Sequence, residues 1–196
     1  MTLHASEPLY FDAIEVGDEW LSPARTVTET DIVLFAGLTG DFNPLHVDHE
    51  YARNTPFGRP IAHGLLGMSL VAGLGSHSPF MQTAAFVQIL QWRFLIPIYA
   101  GDTVHVHTTV IEKHAKNRRR GLVTWRRGLV NQAGQLVQEG TTETLVLIAS
   151  ANARPVNEKR IVPARSPIAA DRLRGAGPSP FGLTEPIVLF ERICDR

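Results

Sequence analysis

Residues 64–75 read Gly-Leu-Leu-Gly-Met-Ser-Leu-Val-Ala-Gly-Leu-Gly, an unbroken run without a charge. At a 3.6-residue period this run is apolar on every side, which predicts a buried helix. Its Gly and Ser positions permit close approach to another backbone. Four strand-like runs follow, at 84–94, 103–111, 121–131 and 135–148. In the second, Val104 and Val106 alternate with His105 and His107, as expected of a strand with one wet face. The turn Asn131-Gln132-Ala133-Gly134 joins the last two runs as a hairpin.

Upstream of the apolar run the pattern is more broken. A turn at Val16-Gly17-Asp18 leads into a strand over 19–27. Thr28 then has the position of a helix N-cap, with Asp31 three residues on and Glu29 adding negative charge to the first turn. Ile32, Val33, Phe35 and Ala36 supply an apolar face, and the helix is expected to stop near Gly37–Gly40. From Asp41 to Pro60 the prolines and polar residues predict an ordered loop with one short helical turn near 48–53. No internal repeat is visible. One apolar helix followed by hairpin-linked strands predicts a single α+β domain over 1–150, a curled antiparallel sheet wrapped around a central helix.

Periodicity ends at Ser150. The remaining 46 residues carry 6 of the 13 prolines, and only 187–190 could form a strand or dock on an apolar groove. Residues 151–196 are therefore expected to form an extended C-terminal arm and not a second domain. Charge divides at the same place. The chain is neutral overall, with 19 basic and 19 acidic side chains, but residues 1–150 sum to −3 and the arm to +3. Net charge thus gives no sign of nucleic acid or an anionic surface as partner. The one cysteine, Cys194, excludes an intramolecular disulfide and a zinc site built on thiolates. The longest apolar stretches fall short of a membrane span, and Met1–Asp12 lacks the basic start and apolar middle of a signal peptide. A cytoplasmic location is the expectation.

Catalytic residue types are concentrated in Thr39-Gly40-Asp41-Phe42-Asn43-Pro44-Leu45-His46. An Asp and a His five positions apart converge on one small molecule if the backbone between them turns. They then supply a carboxylate acceptor and an imidazole able to move a proton near neutral pH. Asn43 could orient either group. The same residues equally suit an N-cap Asp and a surface His in a turn. Downstream, His63-Gly64 opens the apolar helix, where backbone N–H groups are free and the dipole favours negative charge. Gly64 has no side chain to keep a ligand oxygen from its N–H. Asp41, His46, Asp48, His49 and His63 are of metal-ligating type, but no spacing fixes a four-ligand set, and no metal is expected. Seven of the eleven basic residues of 1–150 lie between 113 and 127, including Arg118, Arg119 and Arg120. They suit a solvated hairpin turn, or the phosphates of a large anionic cofactor or acidic carrier. The patch is too local, and its aromatics too few, for nucleic acid.

Taken together, the run Phe35-Ala36-Gly37-Leu38-Thr39-Gly40-Asp41-Phe42-Asn43-Pro44-Leu45-His46, with Ala52 six residues on, resembles the MaoC-like family of (R)-specific enoyl-CoA hydratases. So do Arg59-Pro60-Ile61-Ala62-His63-Gly64-Leu65-Leu66 and Ser69. The resemblance covers about residues 10–149 and implies the hot-dog fold. It implies that Asp41 and His46 are a catalytic dyad holding the water exchanged at C3 of an acyl thioester, with Asn43 fixing the dyad. Gly64 N–H would receive the thioester oxygen, and Ser69 and His63 would line the pocket. Arg118, Arg119 and Arg120 are candidates for binding substrate phosphate. A CoA or acyl-carrier-protein thioester is the implied partner, no organic cofactor is required, and a homodimer or higher oligomer is expected. Two rivals remain at this stage. A hot-dog thioesterase usually places a carboxylate on or near the central helix, and 64–76 has none. A non-catalytic thioester-binding subunit would have no need of both Asp41 and His46. The arm departs from the family pattern.

Overall fold

The computed structural model describes residues 7–149. The arm, including 187–190, lies outside the described residues. Among the described residues, a single 3-10 turn (Phe11–Ala13), four α-helices and six strands follow the order expected from the sequence, with two local differences. The first strand is two short ones, β1 (Glu19–Leu21) and β2 (Arg25–Thr26), because Pro23 between them has no N–H for a ladder. Helix α1 (Glu29–Thr39) carries a full capping box between Thr28 and Asp31 and ends on Gly40, whose φ of 78° is left-handed. The loop that follows holds two short helices, α2 (Pro44–Val47) and α3 (His49–Arg53), in place of the single turn expected. Asn43 and Asp48 cap them, and Pro44 sits where its missing N–H costs nothing.

Helix α4 spans Gly64–Gly75, as its charge-free run predicted. Strands β3 (Thr83–Phe94), β4 (Thr103–Ala115), β5 (Arg120–Val130) and β6 (Leu136–Leu147) form one antiparallel sheet in the order β1-β4-β5-β6-β3, with β2 also pairing β4. Register shifts interrupt the β3–β6, β4–β5 and β5–β6 ladders, and such bulges bend strands. Leu66, Leu70 and Val71 of α4 pack on Val104, Val106, Leu129 and Val137. A second cluster, around Trp125, Phe11, Ile14, Val123 and Val146, fills the sheet face beyond it.

The helix is not covered on every side within one chain. Gly64, Leu65, Ser69, Ala72 and Gly73 are exposed, with Leu65 58% accessible. Strand β3 is equally bare: it is a sheet edge, and Phe86, Val87, Ile89 and Leu90 are all 44–52% accessible. Among the described residues, no helix is long and apolar enough to cross a membrane.

Candidate active site

Gly40 frees the chain from α1, and the loop that carries α2 and α3 then returns to the foot of α4. The amide of Asp41 donates to Thr39 Oγ1, and its carboxylate accepts from Asn43 N at 3.2 Å. Asn43 Oδ1 accepts from Leu45 N at 3.0 Å, starting α2. His46, on that helix, donates from Nδ1 to the carbonyl of Ile61 at 2.7 Å. A carbonyl only accepts, so the proton is on Nδ1 and Nε2 keeps its lone pair. Ile61 is itself fixed by Leu45 O, and Ala62 N by Ile98 O at 2.7 Å. The tautomer of His46 is thus set by a segment tied to the β3–β4 connection.

His63, the N-cap of α4, is 3% accessible. Its Nε2 donates to Asp41 O at 2.9 Å, while its Nδ1 is buried without a partner among the described residues. Its ring stacks on His46 with centroids 3.7 Å apart and tilts against Phe35. Asp41, His46 and His63 offer ligand-type atoms within 4.8 Å of one another. Two of the four ring nitrogens are committed to carbonyls, and stacked rings carry their remaining lone pairs in near-parallel planes. Burial pushes the pKa of His46 below the ordinary histidine value. The Ile61 hydrogen bond opposes this, the His63 ring adds to it, and Asp41 opposes it.

Gly64 N–H has no partner among the described residues, and the dipole of the twelve-residue α4 points its positive end there. A Cβ at Gly64 would stand 2.9 Å from the Phe94 ring. The carbonyl of Gly64 accepts from Gln138 Nε2 at 3.0 Å, and Gln138 Oε1 accepts from Trp92 Nε1 at 3.2 Å. Gln138 is 2% accessible. It is a positioning residue that reading the strand alone misses, though a glutamine among the buried positions of a strand was its available signal.

The structure therefore brings Asp41, His46 and His63 together, with Asn43 shaping their loop and Gly64 at the helix start beside His63. Ser69 lies further along α4, on its exposed side, and donates its hydroxyl to Leu65 O within the helix. Asp48 caps α3 and His49 pairs with Glu29. Arg118, Arg119 and Arg120 form the β4–β5 turn, and Arg120 pairs with Leu147 on β6. Gln138, which holds Gly64, lies nine residues back along β6. At 3.3–3.4 Å per residue that is roughly 30 Å along the strand. Within one chain the three arginines do not meet the Asp41–His46 cluster, because the register of β6 puts them at the opposite end of the sheet.

A helix laid on an antiparallel sheet, with an Asp/His loop folded against its N-terminus, defines a hot-dog domain with a polar cluster at the foot of its central helix. The chain belongs to the MaoC-like domain family, whose model matches residues 13–131. It is 37% identical over 138 residues to an (R)-specific enoyl-CoA hydratase of Rhodospirillum rubrum, covering 70% of this chain and 91% of that one. It is 39% identical over 113 residues to a 3-hydroxybutyryl-CoA dehydratase of Methylorubrum extorquens, covering 57% and 69%. The match to Protein MaoC of Klebsiella aerogenes, 38% identical over 110 residues, takes in 56% of this chain but spans one third (33%) of that protein. Among solved structures, the (R)-hydratase of Aeromonas caviae superposes with a TM-score of 0.59 at 28% identity, covering 70% of this chain and 98% of that one. A Mycobacterium tuberculosis protein with a double hotdog fold gives a TM-score of 0.65 at 21% identity; 76% of this chain matches 46% of that one.

Proposed function

We propose that the protein is a carbon–oxygen lyase that adds water reversibly to a 2-enoyl thioester, giving a (3R)-3-hydroxyacyl thioester. The observation that carries this reading is the tautomer of His46: with Nδ1–H held by Ile61, Nε2 is free beside the Asp41 carboxylate. Water bound between them gives one proton to Nε2, and its oxygen adds to C3 while Asp41 accepts the second O–H. Electron density moves to the thioester oxygen, which Gly64 N–H and the α4 dipole stabilise. The imidazolium then returns its proton to C2, closing the balance with His46 and Asp41 as they began. Water, one imidazole, one carboxylate and one backbone N–H suffice, so the step calls on no metal or organic cofactor. The names of the relatives support the thioester class, and a CoA ester is the first substrate to try.

Incubation with crotonyl-CoA and longer or branched enoyl-CoAs, followed by loss of enoyl thioester absorbance and chiral analysis of the product, tests the proposal. Turnover to the 3R alcohol is expected; no turnover of any ester, or release of free CoA thiol instead, overturns it.

The direction of the His46 shift gives a second expectation. As a base His46 must be unprotonated, so kcat/KM stays level above the ordinary value of 6.5 and falls as pH drops through the depressed value below it. Asp41→Asn removes the anion that raises the His46 value and moves the acid limb to still lower pH. The linkage sign is the same: a histidine with a depressed folded pKa contributes stability present above the unfolded value and lost as pH falls through the folded one. A pH–rate profile with the acid limb above pH 6.5 would contradict this assignment.

The protein is further proposed to work as a homodimer in a cytoplasmic setting. Support comes from β3, a free sheet edge with apolar side chains on both faces, and from the bare side of α4; such edges need pairing or cover.

A further inference from the structure

The inner face of the sheet carries a polar layer between its two apolar cores. On β4 the buried positions Val104, Val106, Thr108 and Val110 alternate onto that face, and on β5 so do Val123, Trp125, Arg127 and Leu129. Val106 and Leu129 belong to the core under α4, Val110 and Trp125 to the core beyond it. Thr108 and Arg127, which face each other across the β4–β5 ladder, stand between the two. Thr142 joins them from β6, opposite Trp125. Arg127 is 8% accessible, Thr142 2% and Thr108 0%. Nearby on this face, buried polar groups are paired: Thr144 Oγ1 accepts from Trp125 Nε1 at 2.8 Å, and Gln138 bridges Trp92 and Gly64 O. Within the layer they are not. Arg127 Nε, Thr108 Oγ1 and Thr142 Oγ1 are all buried without a hydrogen-bond partner among the described residues.

Charge sharpens the problem. The more exposed Arg25, Arg53 and Arg93 each pair with a carboxylate, but among the described residues none pairs with Arg127. Burial lowers its pKa to about 10, which leaves it a cation at neutral pH. Trp125 gives it a cation–π contact at the long distance of 5.8 Å. The end of α4 lies close, with Arg127 Nη1 3.5 Å from where a Cβ of Gly75 would stand. The carbonyls there turn elsewhere, Gly73 O to Ser76 and Gly75 O to Ser78. A buried cation needs a counter-charge, and its N–H groups need acceptors. Three groups that can all donate, one of them cationic, call for an acceptor that is an anion. Facing side chains on a sheet are about 5 Å apart, a spacing that suits an ion of atomic size and not an organic acid. We infer that Arg127, Thr108 and Thr142 form an internal site for a monovalent anion of halide size, held between the two cores near the C-terminal end of α4. The site is independent of the hydratase reading, because Gly64 and Gly75 are the two ends of α4, about 16 Å apart.

Bromide is the probe. Thermal unfolding of the full chain is followed as sodium bromide replaces sodium gluconate at constant ionic strength, gluconate being too large for the layer. Above Kd the Tm is expected to rise with the logarithm of bromide concentration, reaching roughly 5–11 °C at a hundredfold excess. Arg127→Met, which fills a similar volume without charge, should lose that rise. Thr108→Val and Thr142→Val each keep the shape and remove one donor, so their curves should shift to about tenfold higher bromide. The threonine variants decide the case even where Arg127→Met does not fold. A crystal grown in bromide should show an anomalous peak beside the Arg127 guanidinium. A wild-type Tm indifferent to bromide, an equal rise in Arg127→Met, or threonine variants that overlay the wild type overturn the inference. Bromide found on surface side chains alone, an adventitious ion only, overturns it as well.

Discussion

Replacing Asp41 by alanine is expected to lower kcat for enoyl-CoA hydration by about 10²–10⁴-fold, the usual contribution of a positioned acid–base group. The fold should hardly register the change. Asp41 has a half-exposed side chain, and its carboxylate accepts only one backbone hydrogen bond, from Asn43 N. Loss of that exposed bond costs at most about 1 kcal/mol. The competing explanation for an Asp in such a loop is helix capping, and here that role is filled by others: Asn43 caps α2 and Asp48 caps α3. Asp48→Ala is the informative control, because it should cost about 1 kcal/mol of stability while leaving kcat near wild type. Initial rates and thermal unfolding of both variants separate the cases. An Asp41→Ala protein with wild-type turnover would remove the dyad from the mechanism.

The same loop shows what could be read in the sequence and what could not. Helix α4 was legible to the residue because the run 64–75 is apolar on every side and begins and ends on glycine. Asp41, His46 and Gly64 were legible as residue types in a specific order. Their convergence was not, because it depends on α2, a four-residue helix whose Asn-Pro start reads as a breaker in a linear scan. The strand over 19–27 was overextended for a related reason: Pro23 stands within it and has no N–H to continue the ladder. Gln138 escaped notice because its partner, Gly64 O, is 74 residues away in sequence. The arginine turn is the opposite case. Its charge was plain, but its distance from the dyad follows from the pairing register of β5 and β6, and composition carries no register.

Register also sets the second large effect: Gly140→Ala is expected to destabilise the protein by about 2–4 kcal/mol, the range for overpacking in a core with a backbone clash. A Cβ at this position would meet Trp92 Cε3 at 2.2 Å and the backbone oxygen of Gln91 at 2.3 Å. A side chain can rotate away, but Gln91 O belongs to the strand that pairs with Gly140, so relief requires opening the β3–β6 ladder. At about 2–4 °C per kcal/mol for a domain of this size, Tm should fall by roughly 5–15 °C. The damage should also reach the site, because Trp92 holds Gln138, and Gln138 holds Gly64 O. Gly128→Ala is the useful contrast: its Cβ would meet the end of the Leu136 side chain at 2.7 Å and otherwise only Gln138 O at 4.0 Å. Rotation of Leu136 relieves that contact, so Gly128→Ala should melt well above Gly140→Ala and keep its activity. Equal melting temperatures for the two variants would mean that Gly140 does not face the Gln91–Trp92 backbone, and that the register linking the sheet edge to the foot of α4 is different.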